Sequence, residues 1–468
     1  MAKPLWALDA TETARLIRKK QTSATEVVEA HLARLDAMNP KLNAVVRALH
    51  DDARAEAAAA DEAIEYGDKL GPLHGVPITT KINVDQAGLP TDNGVKMLKD
   101  LIAKEDSPQV ANLRAAGAIV IGRTNSPAFA MRATTDNALH GLTRNPWNED
   151  VTCGGSSGGA GASLAVGIGA LAQGNDIGGS IRWPAYCNGV VGLRPTVGRV
   201  PAHNPSAAAP RAFAAQLMSV NGPMARSMRD IRLGLALMSE GDPRDPTWVP
   251  APLNPPPFNA PVGVAVAIDD TLPAPIKATL RRAASHLQDA GYDVEEITPP
   301  ELERVAALWS EIGLAEIGAL LRPLIPSIGD DGMARFMEDL WDLGGGDGID
   351  LAKYQTALRV REVLLMKWQV FMDTHPLILM PCCGELSIPV GMDTQGKDAV
   401  ARMLNALRFQ LAIPVLGLPS LAVPMGTHAN LPIGIQIVSR KFREDLCLAA
   451  GEIIEAREPP VCPIDVKW

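Results

Sequence analysis

Three groups of residues in this sequence have the types and spacing that nucleophilic chemistry needs. Two are serine-bearing glycine segments close together, Gly154-Gly155-Ser156-Ser157-Gly158-Gly159 and Asp176-Ile177-Gly178-Gly179-Ser180-Ile181-Arg182. The third is Lys81, near the end of an otherwise uncharged run from Gly75 to Ile82. A serine hydroxyl is a weak nucleophile at neutral pH and needs an adjacent base to take its proton. A lysine can be that base when burial removes its charge, and a second serine can carry the proton between them.

Rival chemistries fit less well. Gly154 to Gly158 matches G-x-S-x-G literally, but no convincing strand leads into it and none of His203, His286, His375 or His428 has a distinctive context. An α/β-hydrolase-type esterase is therefore the weaker reading. No serine has a lysine three places on, which excludes the S-x-x-K arrangement. Gly167, Gly169 and Ala172 form a G-x-G-x-x-A without the acidic residue a dinucleotide site needs, and the glycine loop lacks the Lys-Ser/Thr pair of a P-loop. The six cysteines, Cys153, Cys187, Cys382, Cys383, Cys447 and Cys462, form no C-x-x-C pair, so neither zinc nor a disulfide framework is expected. Cys153, directly before the glycine loop, is a rival nucleophile on position alone, weighed against a small packing residue.

The elements that position these groups read as α/β. The chain has 468 residues, 47% hydrophobic and 21% charged, enough to bury a large core without long disordered regions. A net charge of -9 disfavours nucleic acid or an anionic membrane as principal partner. Asp9, Glu12 and Arg15 interrupt any secretory signal, and a reduced, cytoplasmic location is expected. Leu8, Leu16, Ile17, Val27, Val28, Leu32 and Leu35 recur at helical spacing, and Asp51 to Tyr66 reads as an alanine-rich helix with one solvent face. Ala160 to Ala172 reads as a buried helix of small residues, and a further helix runs from Gln109 to Ala116. Strands are expected at Ile78 to Ile82, Ala118 to Gly122, Val190 to Leu193, Val262 to Ala267, Leu377 to Met380, Leu421 to Val423 and Gly434 to Val438. Helices from Ile276 to Val370 separate the early strands from the late ones. Strands on both sides of the connector Pro250 to Pro257 suggest one composite sheet.

With these segments in view, the sequence resembles the amidase signature family. Gly154 to Gly159 matches its serine-glycine segment, Asp176 to Arg182 its nucleophile segment and Gly71 to Asn83 its lysine segment. Ala118 to Asn125, Arg144 to Trp147 and Leu418 to Ile437 match as well, so the resemblance spans about residues 5 to 455. It implies a single domain over 1–468 with a central twisted mixed β-sheet flanked by helices on both faces. Within it fall N-terminal helices at 1–68, a core with the signature motifs at 70–240, a mainly helical insertion at 260–375, and C-terminal strands and a helix at 376–455.

The resemblance also implies roles. Ser180 is the acylating nucleophile, Ser156 the bridging serine whose preceding peptide is cis, and Lys81 the base. The backbone N–H groups of Ile177, Gly178, Gly179 and Ser180 form the oxyanion hole, and Asp176, Ser157 and Arg182 hold the loop. Ile82, Cys153 and Asn175 depart from the family pattern, which has Asp, Pro and Ser or Thr there. The implied activity is hydrolysis of small-molecule aryl or alkyl amides, with carbamates and esters as related substrates, without a cofactor or metal. The alternative is glutamine hydrolysis as one component of a tRNA-dependent amidotransferase. Trp183, where those glutamine-hydrolysing chains commonly have Gln, tilts toward a free hydrolase. Met131, Arg132, Trp183 and Tyr186, with Ala202 to Ala215 and the helical region around Trp309 and Leu314, are the expected pocket. A homodimer is the expected assembly, and a scaffold without catalysis is disfavoured because all three catalytic positions are intact.

Overall fold

Strand-forming stretches scattered along the chain meet in one sheet. The computed structural model describes residues 3–258 and 261–468. Its strands are β1 (Val45–Ala48), β2 (Pro77–Lys81), β3 (Ile119–Thr124), β4 (Leu171–Asp176), β5 (Val191–Arg194), β6 (Val220–Ala225), β7 (Gly263–Val266), β8 (Asp293–Glu295), β9 (Leu377–Pro381), β10 (Ser420–His428) and β11 (Leu431–Ser439). They lie in the order β1-β3-β2-β4-β6-β5-β10-β11-β9-β7-β8, flanked by helices in a single domain. Parallel pairs β3-β2-β4 and β9-β7-β8 sit toward the ends, and antiparallel pairs fill the middle. Strands β2, β3 and β9 are buried along their whole length, as expected for strands covered on both faces.

Capping and glycine chemistry fix the helix ends. Ser23 and Glu26 form a reciprocal capping box on the helix Ala24–Leu42. Asp330 accepts from the Met333 N–H at 2.8 Å and starts the helix Asp331–Leu343. In the helix Leu302–Leu321, Val305, Leu308, Trp309 and Ile312 are buried, and this face packs on the helix Arg408–Leu416.

The expected strands are all present, with shifted ends. The expectation of one helix over Ala160 to Ala172 is corrected: the helix covers Gly158–Ala165, and β4 begins at Leu171. Gly167 and Gly169, at φ 85° and 74°, turn the chain between them, a conformation only glycine adopts freely. Strands β1, β4, β6 and β8 were not expected, and β8 interrupts the helical run after Ile276.

Candidate active site

Lys81 ends β2, and Asn175 and Asp176 end the neighbouring parallel strand β4. The pairing Ile78 with Leu171 and Thr79 with Ala172 brings the two strand ends side by side. The Lys81 side chain is fully buried. Its Nζ lies 2.7 Å from Ser156 Oγ, 3.1 Å from Ser157 Oγ and 2.7 Å from Asn175 Oδ1. None of these three oxygens carries a charge. Burial pushes the Lys81 ammonium well below its ordinary pKa, and the negative Asp176 opposes this only in part.

Ser156 follows a cis peptide bond from Gly155 and sits before the helix Gly158–Ala165. The glycines around it are required by close approach. A Cβ on Gly155 would lie 2.4 Å from the Arg132 carbonyl oxygen, and one on Gly159 would lie 2.5 Å from that of Ala44. Ser157 donates its N–H to the Ser180 carbonyl at 3.2 Å and also touches Lys81 directly.

Ser180 lies in the loop between β4 and the helix Arg182–Asn188. Asp176 anchors that loop. Its carboxylate accepts from Arg182 Nε at 3.0 Å and Nη2 at 3.1 Å, and from Arg194 Nη1 at 3.3 Å, with all three side chains fully buried. Burial alone would raise the Asp176 pKa, but the Arg182 and Arg194 guanidiniums override it and hold the carboxyl well below the usual carboxylate range. Arg194 was not anticipated as a partner; its position in β5, two places from Gly192, gave no signal of its reach to β4.

The expected oxyanion donors are not equivalent. The Gly179 N–H donates to Asp176 Oδ1 at 2.9 Å and is already committed. The N–H groups of Ile177, Gly178 and Ser180 have no protein acceptor among the described residues. Trp309 Nε1 donates to the Ile177 carbonyl at 2.7 Å, which holds this peptide in place.

A cavity of about 60 Å³ opens beside Ser180 and Gly178, lined by Met131, Arg132, Trp183, Trp309, Phe336 and Leu411 among others. Met131 and Trp183 both line this cavity. Arg132 also lines the cavity, but its guanidinium is spent on Asp393 at 3.0 Å and Asp136 at 3.3 Å. Two expectations are corrected. Tyr186 is not on this cavity: it is buried behind Trp183, stacked at 5.8 Å, one helical turn from the lining residue. Of the stretch Ala202 to Ala215, residues between Ala202 and Arg211 line another polar cavity, of about 680 Å³, with Asn83, Asn175 and Asn221. Asp85 accepts from the Ser206 N–H at 2.6 Å and ties that stretch to the segment after Lys81. Leu314 is buried core. Phe336 and Leu411 come from distant helices and had no local motif to mark them.

Cys153 is fully buried and donates to the Thr143 carbonyl, and burial pushes its thiol up to about 12. It packs beneath the glycine loop rather than serving as a thiolate. Among the described residues no group of three or more His, Cys, Asp or Glu side chains is placed to hold a metal ion.

The Amidase family profile matches residues 26–448. The chain belongs to the amidase signature family. An indoleacetamide hydrolase of Bradyrhizobium diazoefficiens is 46% identical over 461 residues, covering 97% of this chain and 87% of that protein. One of the chains of the glutamyl-tRNA(Gln) amidotransferase of Roseiflexus sp. is 31% identical, covering 96% of each chain. Among solved structures, a bacterial aryl acylamidase of the amidase signature family superposes with TM-score 0.83 at 27% identity, over 99% of this chain and 98% of that one. This amidase signature chain is an amidohydrolase acting on carbon–nitrogen bonds other than peptide bonds. No single helix among its described residues is long and apolar enough to cross a membrane.

Proposed function

We propose that this amidase hydrolyses neutral arylacetamides, indole-type acetamides among them, through an acyl-enzyme on Ser180 with Ser156 and Lys81 as the proton relay. The observation that carries the reading is a buried lysine with no anionic hydrogen-bond partner, held 2.7 Å from Ser156 Oγ beside a cavity walled by Trp183, Trp309 and Phe336. Ser180 Oγ attacks the amide carbonyl while its proton passes to Ser156 and the Ser156 proton passes to Lys81. The N–H groups of Ile177, Gly178 and Ser180 face the developing oxyanion; one such donor is worth about 3 kcal/mol of barrier. The relay then runs backward and protonates the departing nitrogen, because an amide anion is too poor a leaving group to depart unaided. Water activated by the same relay cleaves the acyl-enzyme and releases the carboxylic acid.

The aromatic wall and the 46% identical indoleacetamide hydrolase support the arylacetyl group. Aryl carbamates and esters present the same carbonyl geometry and are secondary substrates. Glutamine fits less well: its ammonium and carboxylate need ionic partners, and Arg132, the charged side chain on the cavity, is neutralised by two aspartates. The test is turnover by the purified chain of indole-3-acetamide, phenylacetamide, a nitroanilide, an aryl carbamate and glutamine, each beside Ser180→Ala. Ammonia release from the arylacetamides that vanishes in Ser180→Ala is expected. Turnover of glutamine alone, or undiminished activity in Ser180→Ala, refutes the reading.

A further inference from the structure

Asn175 stands at the one position in the Lys81 cluster where this chain departs from the family pattern, and its contacts are fully defined. Its Oδ1 lies 2.7 Å from Lys81 Nζ, and its Nδ2 donates to Asn83 Oδ1 at 2.9 Å. The second contact fixes which end of the amide faces the lysine. The Asn83 backbone carbonyl accepts from Asn204 Nδ2 at 3.0 Å. Ser157 completes the geometry: its hydroxyl oxygen lies 3.1 Å from Lys81 Nζ and 3.4 Å from both the backbone carbonyl and the backbone N–H of Asn175.

An uncharged amine has two N–H donors and one lone pair. The Asn175 side-chain oxygen can only accept, so it takes one N–H. The Ser157 O–H has the Asn175 backbone carbonyl as an acceptor at 3.4 Å, and with its proton there the Ser157 oxygen takes the other N–H. What remains on Lys81 is the lone pair, and what remains around it is Ser156 Oγ at 2.7 Å.

We propose that Asn175 is a positioning residue that, with Ser157, takes both N–H groups of uncharged Lys81 and so turns its lone pair onto the Ser156 hydroxyl. This rests on the relay described above. With its proton directed at Lys81, Ser156 Oγ is left as an acceptor for the Ser180 proton, so the relay points in the productive direction before substrate arrives. An amide oxygen does this without charge. A carboxylate at the same place would hold Lys81 as an ammonium and leave it no lone pair.

The other charged groups around Lys81 are accounted for. On β4, Asp176 is paired with Arg182 and Arg194, and its charge offsets the effect of burial on Lys81 only in part. On β3, the Arg123 guanidinium donates to the Lys81 backbone carbonyl at 3.0 Å. Asn175 is thus the neutral contact whose conversion to a charge the lysine feels directly.

The experiment compares pH profiles of kcat/KM for phenylacetamide in the wild-type chain, Asn175→Asp, Asn175→Ala, Asn175→Ser and Lys81→Met, with a thermal melt of each. Asn175→Asp is expected to move the acid limb up by at least one pH unit, cutting the rate tenfold or more on the wild-type acid limb and recovering it at high pH with KM within threefold. Asn175→Ala is expected to lose at least 30-fold in kcat, and Asn175→Ser, which restores a neutral oxygen, to recover most of that loss. An acid limb unmoved in a folded Asn175→Asp overturns the proposal. If Asn175→Asp does not fold, the other two decide: equal rates for Asn175→Ala and Asn175→Ser overturn it. Lys81→Met separates the two levels of argument. Wild-type activity in Lys81→Met refutes the relay and the proposal together, whereas its loss beside an unmoved limb in Asn175→Asp refutes the role of Asn175 alone.

Discussion

Replacing Asp176 by Asn removes the charge that two buried arginines share while keeping the side chain's shape. In the wild-type chain that carboxylate receives Arg182 twice, Arg194 once, and the N–H groups of Gly179 and Ile181. Asn retains one accepting oxygen but leaves two guanidiniums without a counter-charge in a site closed to water. Breaking a buried ionic contact from one side costs about 3–5 kcal/mol. Arg182 also has Gln436 Oε1 at 2.7 Å and the Gln410 carbonyl at 2.9 Å, so the loss falls within that span rather than above it. At about 2.1 cal/mol/K of unfolding entropy per residue, a chain of this size loses about 1 °C of Tm per kcal/mol, so Tm falls by about 3–5 °C.

The pH dependence has a definite sign. The folded Asp176 pKa lies below its unfolded value. Its contribution is therefore fully present above the unfolded value and is lost only as pH falls toward the folded one. Urea unfolding followed by tryptophan fluorescence should give the same wild-type-to-variant gap at pH 8, 6.5 and 5. A gap under about 1 kcal/mol, or one that has closed by pH 5, refutes the argument. Because the Asp176 charge also favours protonated Lys81, the same substitution should move the acid limb of kcat/KM down.

Three further outcomes follow from the site. In the wild-type chain kcat/KM should fall tenfold per pH unit below the Lys81 pKa, and Lys81→Met should lose several orders of magnitude of rate together with that limb. Trp309→Ala opens space beside Ser180 and removes the bond to the Ile177 carbonyl; kcat/KM for naphthylacetamide should rise relative to phenylacetamide, at a stability cost of about 3–5 kcal/mol in urea unfolding. Cys153→Ala should keep kcat/KM within twofold, and iodoacetamide should leave the wild-type rate unchanged, because the buried thiol is not ionised near neutral pH.

The apolar strands were legible because their own residues announce them, as in Leu377–Pro381 or Ile119–Thr124. Strand β4 was not. Gln173, Gly174, Asn175 and Asp176 carry no strand signal, and they are ordered by partners outside the strand: Asn221, Ser157, Arg182 and Arg194. The same holds for β6, where Asn221, Gly222 and Pro223 dilute the pattern. At the site, the glycine, serine and lysine segments could be read because each is contiguous. Asn175 was visible only as a departure from a pattern, its contact with Lys81 hidden in the parallel register of β2 and β4. Tyr186 was misassigned because it shares a helix face with Trp183 and stacks on it, yet only Trp183 reaches the cavity.

The strand order also bears on how the chain comes off the ribosome. Lys81, Ser156, Asn175 and Ser180 all emerge in the first half of synthesis, yet β5 must wait for β10 as its antiparallel neighbour. Arg182 likewise waits for Gln436, 254 residues later. Until then β5 is an open edge rich in unpaired backbone groups, the kind of surface that recruits other nascent chains. Truncation before β10 should therefore yield not a weakened enzyme but an insoluble fragment holding every reacting group and no platform beneath them.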